Sequence, residues 1–181
     1  MSKKRKLILN LAVSLDGYIA DMDGGFAWIK GDDDKSNDTK KAFDFEEFSN
    51  GIDTLVMGRK AYEDCPKETL GMFKDKKIYV ATSKKLESEF KNIEFIHEGI
   101  YDKVLDLRDK EGKDVWIWGG AGLADSFIKG DVIDEYVIGI IPIILGSGRP
   151  LFLEENPTIE LHMDECTSQE GVVILRYSKR S

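Results

Sequence analysis

Short apolar segments alternate with helix candidates along the first two thirds of the chain, and this alternation constrains the fold more than any other feature. The apolar segments are rich in Val, Ile and aromatic residues and lie at Leu7–Val13, Thr54–Met57, Ile78–Ala81, Ile93–Ile96 and Val115–Trp118. The helix candidates are Thr39–Asn50, Arg59–Cys65, Leu86–Phe90, Tyr101–Arg108 and Leu123–Lys129, with Gly130 expected in the left-handed conformation after the last one. Such alternation is typical of a mostly parallel sheet covered on both faces. We therefore predict an α/β fold.

The pattern changes after Gly130, where strand-like segments follow one another without helices. Ile133–Ile141, Glu160–Cys166 and Val172–Tyr177 predict antiparallel strands added to the parallel core. Upstream, the polar stretch Asp21–Asp38 predicts a long loop, and loops of this length in a compact domain are usually functional or mobile. A chain of 181 residues has room for one domain, which we expect to span residues 1–181.

Charge and cysteine content narrow the function classes. With 26 Lys and Arg against 34 Asp and Glu, the formal net charge is −8, which opposes nonspecific attraction to nucleic acid or to an anionic membrane surface. The longest apolar run, Val137–Leu145, is far shorter than the ~20 residues of a membrane span. Cys65 and Cys166 belong to no CxxC pair or Cys/His cluster, so we expect no metal site, no disulfide framework and a cytoplasmic location.

The segment Gly119-Gly120-Ala121-Gly122 follows a predicted buried strand and opens a predicted helix. In the absence of side chains, backbone N–H groups can close on an anion, and a helix N-terminus carries partial positive charge. The spacing matches neither GxGxxG nor a P-loop. Two interpretations therefore stay open, a phosphate site and a tight turn that needs positive φ.

Two further strand-to-helix junctions carry hydroxyl groups or cations, namely Met57-Gly58-Arg59-Lys60 and Thr82-Ser83-Lys84-Lys85. Taken singly, Lys84 and Lys85 are most simply solvated surface charges. Open α/β sheets, however, bind ligands beyond the carboxyl ends of their strands. Three such junctions at one sheet edge predict a site for a phosphorylated dinucleotide.

Asp44 is the candidate acid. On a helix spanning Thr39–Asn50 it would lie about 40° from Phe48, at the border of the apolar face, because successive residues are ~100° apart. There its carboxyl group could be partly buried, with a raised pKa. The alternative is a solvated carboxylate, since Glu46 and Glu47 crowd the same segment.

Four stretches resemble the dihydrofolate reductase fold, and more closely the C-terminal reductase domain of the riboflavin-pathway bifunctional deaminase-reductases. They are Asn10–Ala20 (NLAVSLDGYIA), Leu55–Glu63 (LVMGRKAYE), Val115–Leu123 (VWIWGGAGL) and Pro142–Phe152 (PIILGSGRPLF). Their order and spacing span most of the chain. The resemblance implies a single-domain three-layer α/β fold and an NADPH-dependent oxidoreductase.

The resemblance also implies where the cofactor lies. It places the nicotinamide near Ala12 and Ile19, the pyrophosphate near Gly119–Leu123, and the adenosine phosphate near Ser83 and Lys84. The residues assigned to the cofactor are Ala12, Ile19, Gly58, Arg59, Lys60, Thr82, Ser83, Lys84, Gly119, Gly120, Ala121, Gly122 and Leu123. A cis peptide at Gly119-Gly120, a mobile flap with Trp28 as a lining residue, and a homodimer paired through the C-terminal strands are implied as well.

Two departures from folate reductases bear on the substrate. Asp44 matches their pterin-binding carboxylate only with a two-residue gap, and Gly139 stands where they carry a threonine. We therefore expect reduction of a small heterocyclic substrate, as in 5-amino-6-(5-phosphoribosylamino)uracil reductase, with Asp44 as acid or substrate anchor. No deaminase zinc motif is present in the 181 residues, so we expect the reductase activity alone. The alternatives are dihydrofolate reduction and a non-catalytic NADPH-binding module.

Overall fold

The computed structural model describes residues 4–180. Its strands are β1 Leu7–Ser14, β2 Tyr18–Ala20, β3 Ile52–Gly58, β4 Lys77–Ala81, β5 Ile93–Ile96, β6 Asp114–Gly119, β7 Glu135–Ile141, β8 Arg149–Pro150, β9 Leu161–Gln169 and β10 Val172–Lys179. Its helices are α1 Phe45–Asn50, α2 Arg59–Asp64, α3 Lys67–Met72, α4 Ile100–Arg108 and α5 Ala121–Lys129. None of these helices has the length and apolar character needed to cross a membrane.

Eight strands form one sheet in the order β5-β4-β3-β6-β1-β7-β10-β9. The six strands from β5 to β7 pair in parallel, whereas β10 runs antiparallel to both of its neighbours. The predicted parallel core with antiparallel C-terminal strands is therefore confirmed. Ile133–Ile141, expected among the antiparallel strands, instead contains β7, which pairs in parallel with β1 and antiparallel with β10. The short strands β2 and β8 pair with each other at one end of this sheet.

Apolar side chains cover both faces of the sheet. On one face Leu9 and Ile117 pack with Phe127 of α5 and Val104 of α4. On the other face Trp116 packs with Phe48 of α1 and with helix α3. Because neighbouring strand residues point to opposite faces, each central strand is buried on both sides and contributes to two cores. The three-layer arrangement implied by the resemblance is confirmed.

The helix predicted over Thr39–Asn50 is wrong at its start. It begins at Phe45, with Asp44 as its N-cap. The reason lies elsewhere in the chain. The Thr39 amide donates to the Ser168 carbonyl near the end of β9 (2.9 Å), so its hydrogen bond goes to a distant strand and not to a helix.

Two other local predictions differ from the structure, and helix α3 was not predicted. Leu86–Phe90 forms no helix, and α3 begins directly after Pro66, which serves as its N-cap. Gly130 has φ −73°, so the left-handed residue after α5 is Asp131, with φ 51°. Pro66 ends α2, because a proline has no N–H group to continue the helical hydrogen bonds. The same residue is well tolerated at the start of a helix, so α3 can begin directly after it.

Candidate functional site

A cleft of about 1080 Å³ opens at the carboxyl ends of the central parallel strands. One part, which we call the glycine end, is formed by the junctions that follow β3 and β6. The other part, the aromatic end, is lined by Phe43, Phe45, Trp116 and Trp118. Between them, Ala12 of β1 and Gly139 of β7 form a floor of small residues.

At the glycine end, α5 begins after Gly120, and the Gly119-Gly120 peptide bond is cis, as the resemblance implied. The amides of Leu123 and Ala124 both donate to the Gly120 carbonyl oxygen, at 3.1 and 3.0 Å. The amides of Ala121 and Gly122 have no hydrogen-bond acceptor within residues 4–180. Such first-turn amides normally bind a capping group, water or a ligand.

The space above these amides is open. A Cβ atom built on Gly120 or Gly122 would have no neighbour within 4 Å, and one on Gly58 would lie 3.6 Å from the Gly120 amide nitrogen. The β3–α2 and β6–α5 junctions therefore lie side by side. Free amides, an open surface and the positive end of a nine-residue helix together fit a diphosphate group.

Two cations border the glycine end. Arg59 lines the cleft and forms an ion pair with Glu63 one helical turn later. Lys60 lines the cleft as well, is exposed, and makes no ion pair within the described part of the chain. A flexible, unpaired ammonium group at this position favours an anionic ligand.

Thr82, Ser83 and Lys84 lie beside the cleft but do not line it. Ala81 is opposite Gly58 in the β3–β4 pair, so Thr82 leaves the sheet next to Arg59. The Thr82 hydroxyl accepts the Lys84 amide at 3.0 Å, whereas Ser83 and Lys84 are exposed. Their position at the outer end of the cleft suits a group that extends from the glycine end into solvent.

Ile19 is held at the cleft wall by the turn that follows β1. The Asp16 carboxylate accepts the Ser14 hydroxyl at 2.6 Å and the amides of Leu145 and Gly146 at 3.1 and 2.8 Å. These hydrogen bonds lower the pKa of Asp16, with Ser14 as the largest cause. The carboxylate therefore joins the β1–β2 turn to the segment after β7.

Asp44 is not the partly buried acid that the helical pattern predicted. It is exposed, its Oδ1 accepts the Glu47 amide at 2.8 Å, and it is absent from the cleft lining. The prediction of burial is wrong because α1 starts one residue after Asp44. The catalytic role of Asp44 stays a prediction, and it has no contact with the cleft to support it.

The remaining titratable groups at the cleft are few. Asp64 is the one carboxylate among the lining residues of the described chain, and it lies on α2. Cys65 also lines the cleft, and burial raises the pKa of its thiol, which disfavours a reactive thiolate at neutral pH. Within residues 4–180 no group of three or more His, Cys, Asp or Glu could hold a metal ion.

The aromatic end is a rigid set of rings. Trp116 and Trp118 stack with centroids 4.5 Å apart, and Phe45 meets Trp116 edge-on at 5.9 Å. The indole N–H of Trp116 donates to the Asn10 carbonyl at 2.8 Å, which fixes the ring relative to β1. Flat aromatic walls of this kind bind planar rings by stacking and edge contacts.

The long loop covers the aromatic end and is fastened to the β9–β10 hairpin. The Asp32 amide donates to the Glu170 carbonyl at 2.9 Å, and the Glu170 amide donates to Asp38 Oδ1 at 2.7 Å. Phe26, Ile29 and Lys30 of this loop line the cleft.

Trp28, expected as a lining residue, does not line the cleft; its indole N–H donates to the Gly25 carbonyl within the same loop.

The sequence patterns did not identify much of the aromatic end or two of the lining cations, Lys30 and Arg149. Phe26, Phe43 and Ile174 carry no local signal, because the tertiary fold alone brings their segments to the cleft. Arg149 lines the cleft close to Gly24, where a Cβ atom would lie only 2.7 Å from its guanidinium Nη2. The alternation in Val115–Trp118 was a usable signal, since it places Trp116 and Trp118 on one face.

The fold and the cleft define the class of protein as dihydrofolate reductase-like. Residues 63–175, more than half of the chain, match the family model described as the RibD C-terminal domain. The chain belongs to this family.

Two uncharacterized proteins of Bacillus subtilis are similar over nearly the full length. YyaP is 35% identical over 97% of this chain and 95% of its own length. YwjB is 37% identical over 94% of this chain and 95% of its own length.

Solved structures share the fold. A protein of Shewanella sp. PV-4 assigned to riboflavin biosynthesis has TM-score 0.74 and 27% identity, covering 97% of this chain and 99% of its own. The deaminase/reductase of Thermotoga maritima has TM-score 0.69 and 16% identity, covering 98% of this chain and 57% of that one. Dihydrofolate reductase of Enterococcus faecalis, solved with NADP(H), has TM-score 0.61 and 16% identity, covering 97% of each chain.

Proposed function

We propose that this protein is a cytoplasmic, NADPH-dependent reductase of a small heterocyclic compound, in the reaction class of 5-amino-6-(5-phosphoribosylamino)uracil reductase. The observation that carries the proposal is the composition of one cleft, in which a cradle of free amides and an aromatic pocket share a floor of small residues. Membership in the RibD C-terminal domain family supports the same reaction class.

The glycine end would bind the diphosphate through the amides of Ala121 and Gly122 and the ammonium group of Lys60. Ala12 and Ile19 would flank the nicotinamide, and Ser83 with Lys84 would contact the adenosine phosphate, which favours NADPH over NADH. Reduced nicotinamide supplies a hydride when bound, which a C=N or C=O carbon of the substrate accepts. The loop and the aromatic end shield the floor between them from bulk solvent, and the cleft still admits single water molecules.

We propose that water delivers the proton. No side chain of the described cleft lining is well suited to this role. Asp64, the one carboxylate of that lining, lies on α2 and is not part of the aromatic end. Burial raises the pKa of the Cys65 thiol, and Asp44 is outside the cleft lining. The aromatic end itself contributes rings rather than acids. Asp44, the residue that best matches the pterin-binding carboxylate of folate reductases, is absent from the cleft lining. A ring bound here is therefore held by other groups, and dihydrofolate reduction is the second candidate.

The direct test is isothermal titration calorimetry with NADPH and with NADH. We expect NADPH to bind, and Gly120→Ala to weaken its binding at least tenfold because the new methyl group would occupy the space of the diphosphate. Gly71→Ala is the matched control, because a Cβ there meets only the Phe90 ring at 3.9 Å and lies outside the cleft.

Absence of heat with either coenzyme would refute the proposal, as would unchanged affinity in folded Gly120→Ala. If NADPH binds but no pterin, flavin precursor or simple carbonyl compound oxidises it, the non-catalytic binding module becomes the better interpretation.

We also propose a homodimer paired through the C-terminal strands. β9 is the last strand of the sheet, so its outer edge has no partner strand in the described chain. The long loop occupies this edge at Ser168 through Thr39, so the part of β9 toward Leu161 is the site where a strand of a second copy would add.

A further inference from the structure

A second cavity of about 220 Å³ lies beneath the long loop, next to the aromatic end of the cleft. Phe43, Val172 and Ile174 line both cavities, so these three side chains form the boundary between them. The second cavity is completed from β9 by Thr167 and Gln169. One ligand with a ring and a short arm could therefore occupy both spaces.

Thr167 is the notable polar residue of this cavity. The relative exposure of Thr167 is 4%, and its hydroxyl forms no hydrogen bond with any residue from 4 to 180. Thr167 is opposite Ile174 in the β9–β10 pair, so both side chains point to the face of the sheet that carries the cleft. The Thr167 oxygen is not among the fully buried side-chain atoms without a partner, so it is open to the cavity, where a ligand can form a hydrogen bond with it.

Asn10 provides a second unused polar group, at the other side of the floor. Its carbonyl accepts the Trp116 indole, whereas its side-chain amide makes no hydrogen bond within the described residues. Through the β1–β7 register Asn10 and Ala12 share one face. A side-chain amide offers a donor and an acceptor together, which matches the lactam edge of a heterocycle.

The surface between Asn10 and Thr167 carries no charge, because it consists of Ala12, Gly139, Val172 and Ile174. The one ionised group at the second cavity is Glu170, which pairs with Lys35 at 3.1 Å. A carboxylate at the cavity wall disfavours a second anion nearby. The uncharged surface and this carboxylate together favour a neutral ligand arm over an anionic one.

We propose that the substrate is a planar, uncharged heterocycle with a short neutral arm that ends in a hydrogen-bonding group. The ring lies on the Ala12–Gly139–Ile174 floor with its lactam edge at Asn10, and the arm passes Phe43 to reach the Thr167 hydroxyl. This inference rests on the proposed reductase function, because it concerns the substrate of the same cleft.

The test uses three fluorescent pterins that differ only in the arm: 6-methylpterin, 6-hydroxymethylpterin and 6-carboxypterin. Affinities are measured by fluorescence titration, with the protein alone and with saturating NADP⁺. In the wild-type protein we expect 6-hydroxymethylpterin to bind about fivefold more tightly than 6-methylpterin, and 6-carboxypterin to bind most weakly.

Thr167→Val should abolish the preference for the hydroxymethyl arm while leaving the affinity for 6-methylpterin unchanged, because valine keeps the shape and loses the hydroxyl. Thr167→Ser should retain the preference. Cys166→Ala is the matched control on the same strand, since Cys166 is exposed and lies outside both cavities.

Equal affinity for the three arms, tightest binding of 6-carboxypterin, or an unchanged preference in Thr167→Val would overturn the inference. Absence of binding by all three pterins would overturn it as well. The coenzyme titration described above is independent of these probes. Failure of the arm preference with intact NADPH binding would thus refute the substrate class alone.

Discussion

Asp44 illustrates how one residue position decides between a structural and a chemical role. Its carboxylate satisfies the Glu47 amide at the first turn of α1, a turn that no other side chain caps in the described chain. Capping by Asp or Asn typically stabilises a helix by ~1 kcal/mol relative to alanine. We therefore assign Asp44 a structural contribution first.

Asp44→Ala should lower the free energy of unfolding by about 1 kcal/mol, whereas Asp44→Asn should leave it nearly unchanged, because asparagine is an equally good N-cap. Urea denaturation measures both values. Once a substrate has been identified, neither variant should change the rate of NADPH oxidation. A large loss of turnover in stable Asp44→Asn would instead restore the catalytic role.

At the scale of elements, the long loop and the β9–β10 hairpin act together. Five hydrogen bonds join Asp32, Asp38 and Thr39 to the end of β9 and the turn that follows it. The same loop contributes Phe26 and Ile29 to the cleft. The β9–β10 hairpin therefore helps to position Phe26 and Ile29, although both residues belong to the long loop.

Asp38→Ala removes the acceptor of the Glu170 amide and should speed amide exchange in residues 24–44 by up to about tenfold, as expected for the loss of one hydrogen bond. Hydrogen–deuterium exchange with mass spectrometry resolves this segment. Asp34→Ala is the matched control, because the Asp34 carboxylate accepts only the Ser36 amide within its own turn. Equal exchange in the two variants would show that the Asp38 contact does not hold the loop.

At the scale of the whole molecule, the sheet has two different edges. The β5 edge belongs to the parallel core, whereas the β9 edge is a long antiparallel strand on which Met163 is 54% exposed. Exposed apolar side chains on an edge strand favour association of two copies of the chain. Because the net charge of −8 makes the copies repel each other, association is restricted to specific surfaces.

Light scattering after size exclusion should give twice the chain mass. Met163→Lys should shift the protein toward the monomer, because it places a charge in the proposed interface. Met72→Lys changes a still more exposed methionine, on α3, and should leave the mass at that of the dimer. A wild-type monomer, or the same loss of mass in both variants, would refute pairing through β9.

Local patterning was sufficient for most of the fold. Ile93–Ile96 is a strand with the predicted bounds, and Arg59–Asp64, Ile100–Arg108 and Ala121–Lys129 are helices within two residues of the predictions. The glycine cluster after Val115–Trp118 could be found because its composition is itself the signal. These features depend on side-chain periodicity and on glycine, both of which are properties of adjacent residues.

The sequence by itself determined the α/β class, the parallel core and the glycine end, because each is encoded in a short segment. Only the tertiary structure decided that α1 starts at Phe45, since a hydrogen bond to distant Ser168 holds the preceding residues. It likewise decided that Asn10, Gly139 and Thr167 share one face, because strand register is fixed by packing between segments far apart in the chain.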